Sequence, residues 1–126
     1  MMKIIIKNRQ SRKIRNNGGM LIGDIRGIYK HFKGGTYEVF GVCSSITTNT
    51  KYVLYKPLYN DTGFWLRLYS MFFSKVMIDG EQKDRFAFMS YAGDIITDNE
   101  ITALHSETNE KIVITQDLPG HFTINY

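Results

Sequence analysis

The sequence predicts a mainly β protein, a small β-barrel or roll with extra C-terminal strands. Three observations carry this reading. From Leu21 onward, short β-prone runs recur at near-regular spacing, separated by Gly, Asn and Asp. No stretch repeats apolar residues at the spacing of an amphipathic helix of ordinary length. Aromatic residues make up 13% of the 126 residues, and such side chains dominate small cores.

Each element has its own local reason. Lys3 to Lys7 (KIIIK) is a short β-prone run, and Asn8 to Gly19 is a polar, basic, Gly-terminated loop or arm. Met20 is a plausible internal start. Gly27 to Phe32 is a strand that ends at a tight turn, Lys33-Gly34-Gly35. Tyr37 to Cys43 is the next strand, and Ser44 to Thr50 is a polar connection. Tyr52 to Tyr55 follows, and Pro57, lacking an N–H, closes that strand or sets it at an edge. Asn60-Asp61-Thr62-Gly63 is a turn. Phe64 to Tyr69 is strongly β-prone. Met71-Phe72-Phe73 is apolar without alternation, which suits a short helical turn tucked under a barrel. Val76 to Ile78, Asp79-Gly80 and Arg85 to Phe88 read as a hairpin. In the tail, Ile101 to Leu104 and Lys111 to Thr115 flank a polar turn, and Phe122 to Tyr126 is a final strand.

The organisation expected is a basic N-terminal arm or short strand over 1–20, a barrel domain over 21–90, and an acidic β extension over 91–126 packed on the barrel. The sequence leaves open whether that tail closes the barrel or forms a separate flap. One internal echo stands out: Thr48-Asn49-x-Lys51-x-Val53 recurs as Thr108-Asn109-x-Lys111-x-Val113. It reads as one turn chemistry used twice, with a degenerate duplicated hairpin as the alternative.

Composition narrows the function classes. One Cys forms no internal disulfide, so nothing points to an oxidising compartment. No apolar run approaches the ~18 residues of a membrane span, and the Ile run at the N-terminus is shorter than the roughly 7 residues a secretory signal needs. A cytoplasmic protein is expected, with no membrane partner. The net charge of +4 conceals an asymmetry. Residues 1–37 hold nine basic residues and one acidic, whereas residues 94–126 hold one basic and six acidic. A basic arm suits a polyanion. The plainer and favoured reading is that the two ends complement each other within one chain or between subunits, or are simply solvated.

The stretch from Gly27 to Phe88 resembles a known family. The motifs are Gly27-x-Tyr29-x-His31-x-Lys33-Gly34, Tyr37-Glu38-Val39-x-Gly41, Tyr55-x-x-Leu58-Tyr59, Trp65-x-Arg67, Met71-Phe72, and Gly80 with Arg85-Phe86. In these it is similar to the domain-of-unknown-function family 1653, small bacterial and phage domains. The resemblance covers about half of the chain. It implies an SH3-like barrel and brings no established activity. Two departures matter. The family's His-Ser-Glu-Thr run after the second Gly is here Ser45-Ile46-Thr47-Thr48, and its Pro after the Trp-x-Arg motif is here Leu68. The run His105-Ser106-Glu107-Thr108 in the tail spells the missing segment, a coincidence unless the fold brings it beside Trp65.

Strand alternation picks out the candidate surface. Phe64, Leu66 and Leu68 form a plain core face. Trp65, Arg67 and Tyr69 form a mixed one, and Tyr29, His31 and Lys33 share a face of the first strand. Together these six would make a ligand-binding surface of cations and rings, suited to stacking on a base and pairing with a phosphate. The competing reading makes Trp65 a core plug and pairs Arg67 with Glu38 or Asp61. The three His and single Cys lack metal-ligand spacing, the Gly pairs match no phosphate-binding loop, and no cofactor or catalytic constellation is indicated. The functions expected are therefore a binding module for nucleic acid or a nucleotide, or an accessory protein binding a small ligand or protein partner as a homo-oligomer. An enzyme is the least favoured, and His31 with Glu38 is its only candidate pair.

Overall fold

The computed structural model describes residues 24–92 and 96–125. The expected arm over 1–20 lies outside the described residues. Ten strands and one helical turn run in the order β1 (Gly27–His31), β2 (Thr36–Ser45), β3 (Thr50–Pro57), β4 (Phe64–Leu68), α1 (Tyr69–Phe72), β5 (Lys75–Ile78), β6 (Glu81–Asp84), β7 (Phe86–Ser90), β8 (Glu100–His105), β9 (Lys111–Leu118) and β10 (His121–Asn125). The protein is mainly β, as the alternation and turn signals require. Asn49 and Asn109 sit at φ 56° and 61° in the β2–β3 and β8–β9 turns, and Asp79 and Gly80 at 52° and 82° between β5 and β6. Asn, Asp and Gly tolerate this left-handed conformation and so fix the hairpin positions.

Eight strands form one sheet in the order β10-β9-β8-β4-β3-β2-β1-β7, and β10 also pairs with β2. That last pairing closes a six-stranded barrel of β2, β3, β4, β8, β9 and β10. The acidic tail thus supplies half of the barrel wall. β1 and β7 extend the sheet from the first half of β2, and β5 with β6 forms a separate hairpin. The expected partner of Val76–Ile78 is corrected here. The return arm is Glu81–Asp84, whereas Phe86–Ser90 pairs with β1. The two-residue Asp79-Gly80 turn forces the chain straight back at Glu81.

The barrel repeats itself. β2 and β3 pair Gly41 with Leu54, Cys43 with Tyr52 and Ser44 with Lys51. β8 and β9 pair Ile101 with Ile114, Ala103 with Ile112 and Leu104 with Lys111, the same register displaced by 60 residues. β4 lies on β3 as β10 lies on β9: Leu54 faces Leu66, and Ile114 faces Ile124. Each unit's third strand then runs parallel to the other's first, with Phe64 opposite Ala103 and Phe122 opposite Cys43. The echo around Asn49 and Asn109 is therefore more than shared turn chemistry. It marks two three-stranded units of equal register that close on each other.

The two faces of the first unit carry separate cores. The barrel interior holds Cys43, Leu54, Leu66, Ala103, Ile114, Phe122 and Ile124 among others. The outer face packs Tyr29, Val39, Val53, Tyr55, Phe72 and Phe86 beneath β1, β7 and α1. Each fully buried Leu, Ile or Phe contributes about 1.5–3 kcal/mol. Among the described residues the second unit has no such cover: Val113, which occupies the place of buried Val53, is 37% exposed.

Candidate functional site

Successive residues of a strand point to opposite faces, so Leu66 enters the barrel while Trp65 and Arg67 emerge beside the outer core. There they meet Tyr55, directly opposite Trp65 on β3, and Tyr37 of β2. These side chains, with Pro57, Tyr59, Asn60, Thr62 and Ser106, line a cleft of about 250 Å³. The loop from Leu58 to Gly63 forms one wall. It is held by an Asn60 turn, in which the carboxamide oxygen accepts from the Thr62 N–H at 3.2 Å and the Thr62 hydroxyl at 2.9 Å. Thr62 in turn receives the Trp65 indole N–H at 3.1 Å, which fixes the indole in the wall. Tyr37 and Tyr59 share a hydrogen bond at 2.7 Å. Burial, with the bond to Tyr59 adding to it, pushes Tyr37 well above the usual phenol range, so it stays neutral.

Arg67 is the cation of the cleft. Its Nε donates to the Tyr55 hydroxyl at 3.3 Å, and its guanidinium lies 5.6 Å from the Phe86 ring centroid. The ion pairs among the described residues are Arg26–Asp24, Lys75–Asp84 and Lys83–Glu81. Arg67 thus has no carboxylate partner among them, and no described Asp or Glu lines the cleft. Glu38 and Asp61 are not its counter-ions. A guanidinium seated on a ring and a phenol, with its outer donors uncommitted to an acid, is suited to an incoming anion.

The structure divides the six residues expected at this surface. Trp65 and Arg67 line the cleft. His31 stands at the rim of the same aromatic cluster, 4.7 Å from Phe86 and 6.3 Å from Tyr37. Tyr29 is buried rather than at the surface. It is 5% exposed, donates its hydroxyl to the Ile25 carbonyl at 2.8 Å, and packs edge-on against Phe72, Phe73 and Phe88. The face it shares with His31 is covered at its end by α1 and β7, which strand alternation alone does not reveal. Lys33 lies beyond β1 in an exposed turn, its ammonium 5.7 Å from the Phe32 ring centroid. Tyr69 opens α1 and packs on Phe73 rather than extending β4. Among the cleft residues that alternation missed are Tyr37, Tyr55, Tyr59 and Ser106. Tyr55 and Tyr59 were visible in the Tyr55-x-x-Leu58-Tyr59 motif, but their convergence on Trp65 depends on the β3–β4 pairing and the loop between.

His31 and Glu38 form no catalytic pair. Glu38 follows Tyr37 and so points to the opposite face of β2, while His31 packs toward Tyr37. His31 Nδ1 accepts from the Lys33 N–H at 3.2 Å. Burial and then the positive charges of Arg67, Arg85 and Lys33 lower its pKa below the ordinary imidazole value. It is therefore neutral at pH 7. Its protonation should cost stability as pH falls through the unfolded-state value near 6.5, because there the unfolded chain binds the proton more readily. An NMR titration should show the His31 midpoint below that value, and Arg67→Gln should move it upward; an unmoved midpoint would detach His31 from the cleft's field. Cys43 is fully buried in the barrel, and burial, with Asp117 a lesser cause, pushes its thiol up to about 12, so it is no nucleophile. Among the described residues no group of three His, Cys, Asp or Glu is placed to hold a metal ion, and no helix is long and apolar enough to cross a membrane.

No match is found among curated proteins. A solved structure, the crystal structure of a protein belonging to DUF1653 from Bordetella bronchiseptica, aligns at 27% identity and a TM-score of 0.48, covering 55% of this chain and 91% of that one. Over residues 27–88, from the first strand to the edge strand β7, the chain matches the family DUF1653, protein of unknown function.

Proposed function

We propose that this protein is a binding module whose cleft takes a small planar ligand bearing an anionic group, with a mononucleotide the favoured class. The observation that carries this reading is Arg67, held by Tyr55 and Phe86 in a cleft walled by tyrosines and Trp65, with no carboxylate in reach among the described residues. A planar ring gains from stacking between such walls, and its anion from the guanidinium. The charge balance favours a small ligand over a polymer. Residues 24–92 and 96–125 hold ten Lys and Arg against eleven Asp and Glu, so the folded body offers a polyanion no net positive charge.

A second reading has a separate support: residues 1–23 hold six basic residues and no acidic one. A polynucleotide would draw on this arm, and its binding would fall steeply with salt as counterions are released. Fluorescence distinguishes the two readings. Trp65 is the single Trp and stands in the cleft wall, so a mononucleotide should quench it. Arg67→Ala should weaken that binding about tenfold or more, the range for losing hydrogen bonds to a charged group. Labelled oligonucleotides, followed by polarisation at low and near-physiological salt, should bind through residues 1–23 if at all. Absence of quenching by any nucleoside monophosphate at millimolar concentration would overturn the cleft reading.

A further inference from the structure

The tail contributes to the cleft a residue whose position follows from the strand register. β4 and β8 run parallel and pair Trp65 with Leu104 and Leu66 with His105. The pairing continues one step past β8, where the Ser106 N–H donates to the Leu66 carbonyl at 2.8 Å. Ser106 therefore lies beside Arg67. Residues abreast on neighbouring strands project to the same face, about 5 Å apart at Cβ. Both line the cleft. The Ser106 hydroxyl is buried and has no hydrogen-bond partner among the described residues. Buried hydroxyls are satisfied in folded proteins with few exceptions, and an orphan is costly. Its neighbour Arg67 bonds Tyr55 through Nε, which leaves the terminal nitrogens of the guanidinium outside that bond.

We infer that Arg67 and Ser106 together form an oxyanion seat at the floor of the cleft. The guanidinium supplies charge and paired N–H donors, and the hydroxyl supplies one further donor to the same group. The ligand is then an aromatic oxyanion: its phosphate or carboxylate sits on Arg67 and Ser106, and its ring lies against Tyr37, Tyr59 and Trp65. A hydroxyl beside a guanidinium donates to any acceptor but is too weak an acid to repel an anion, and none of the described lining residues is a carboxylate that would compete. The His105-Ser106-Glu107-Thr108 run, whose spelling had no assigned meaning, is thereby brought beside Trp65. This inference rests on the cleft reading above and specifies which end of the ligand the tail recognises.

The test uses the full chain and Trp65 fluorescence, with adenosine 5′-monophosphate, adenosine, inorganic phosphate and benzoate as probes. Ser106→Ala removes only the hydroxyl, and a thermal midpoint no lower than the wild type's will confirm that it folds, since losing an orphan hydroxyl costs nothing. It should weaken the monophosphate about tenfold while leaving adenosine within about twofold, because only the phosphate meets the hydroxyl. Ser106→Thr, which keeps the donor, should retain the discrimination. Tighter binding of the monophosphate than of benzoate assigns a phosphate ligand, and the reverse a carboxylate; either supports the seat. Equal weakening of monophosphate and adenosine by Ser106→Ala would mark a structural role and overturn the inference. Monophosphate binding that needs Arg67 but ignores Ser106→Ala would overturn it too, and leave the cleft reading intact. If the wild-type chain binds none of the four probes the seat falls, and if no other nucleoside monophosphate quenches Trp65 the cleft reading falls with it.

Discussion

Phe72→Ala is expected to cost about 3–5 kcal/mol of stability, the range for removing a buried aromatic ring, and to loosen the cleft with it. Phe72 is fully buried although it sits in a helical turn of four residues. Its ring stacks on Phe86 at 4.0 Å and meets Tyr29 and Tyr55 edge-on, both at 5.4 Å. Aromatic pairs of this kind add roughly 0.5–1.5 kcal/mol beyond their area. α1 is too short to be stable by itself, so its place depends largely on Phe72, its one buried residue, with Tyr69 packed beside the same core. Phe86 and Tyr55 are also the two groups that support Arg67. Loss of the Phe72 ring should therefore both lower the denaturation midpoint and weaken ligand binding, while Phe72→Leu, which refills part of the volume, should cost less in each. A cost below about 1 kcal/mol would mean that the outer core tolerates a void where the packing says it does not.

Gly41→Ala should be nearly as damaging, by a different route. Gly41 has φ 147° and lies where β2 bends between its pairing with β1 and its pairing with β10. A Cβ there would land on the backbone carbonyl of Gly120. The same carbonyl accepts from the Val42 N–H at 3.0 Å, so the two segments cannot separate without losing a bond that seats β10. The strained backbone costs of order 1–3 kcal/mol, and displacing a packed ladder about 1–3 kcal/mol more. Gly34→Ala is the control. It also has positive φ, at 116°, but open space around its Cβ position, so it should show the backbone cost alone. Urea denaturation of the two variants would separate the effects. Equal losses would remove the clash from the account and leave only backbone strain.

The tail gives the two units different fates from similar registers. At the position equivalent to Gly41, the second unit carries Ile101, 6% exposed and packed in the barrel core. Where the first unit has Tyr55, Trp65 and Arg67, the second has Thr115, Thr123 and Asn125, and these bond locally: Asn125 to Thr115, and Thr123 to Asp117. One outer face is thus walled by rings and holds a cation, whereas the described residues of the other are Val113, two threonines and an asparagine.

Much of this was legible in the chain. Alternation in Phe64–Leu68 placed Leu66 inward and Trp65 and Arg67 outward, because side-chain direction in a strand is a local property of the backbone. The turn residues located most of the hairpins, because positive φ selects Asn, Asp and Gly wherever it occurs. The helical turn at Met71-Phe72 was visible as an apolar run without alternation. Local chemistry determined these features, and they needed no knowledge of distant partners.

Only the tertiary structure decided the rest. The parallel pairings of β4 with β8 and of β10 with β2 join segments far apart in the chain, and no local signal encodes which distant edge a strand will find. Tyr29 and His31 share a strand face, yet Tyr29 is sealed by α1 and β7 while His31 remains at the rim. Ser106 comes to rest beside Arg67 for the same reason. Burial and neighbourhood are properties of the assembled sheet, set by what covers each face after the barrel closes, whereas the strand and turn that carry a residue are set by the residues adjoining it.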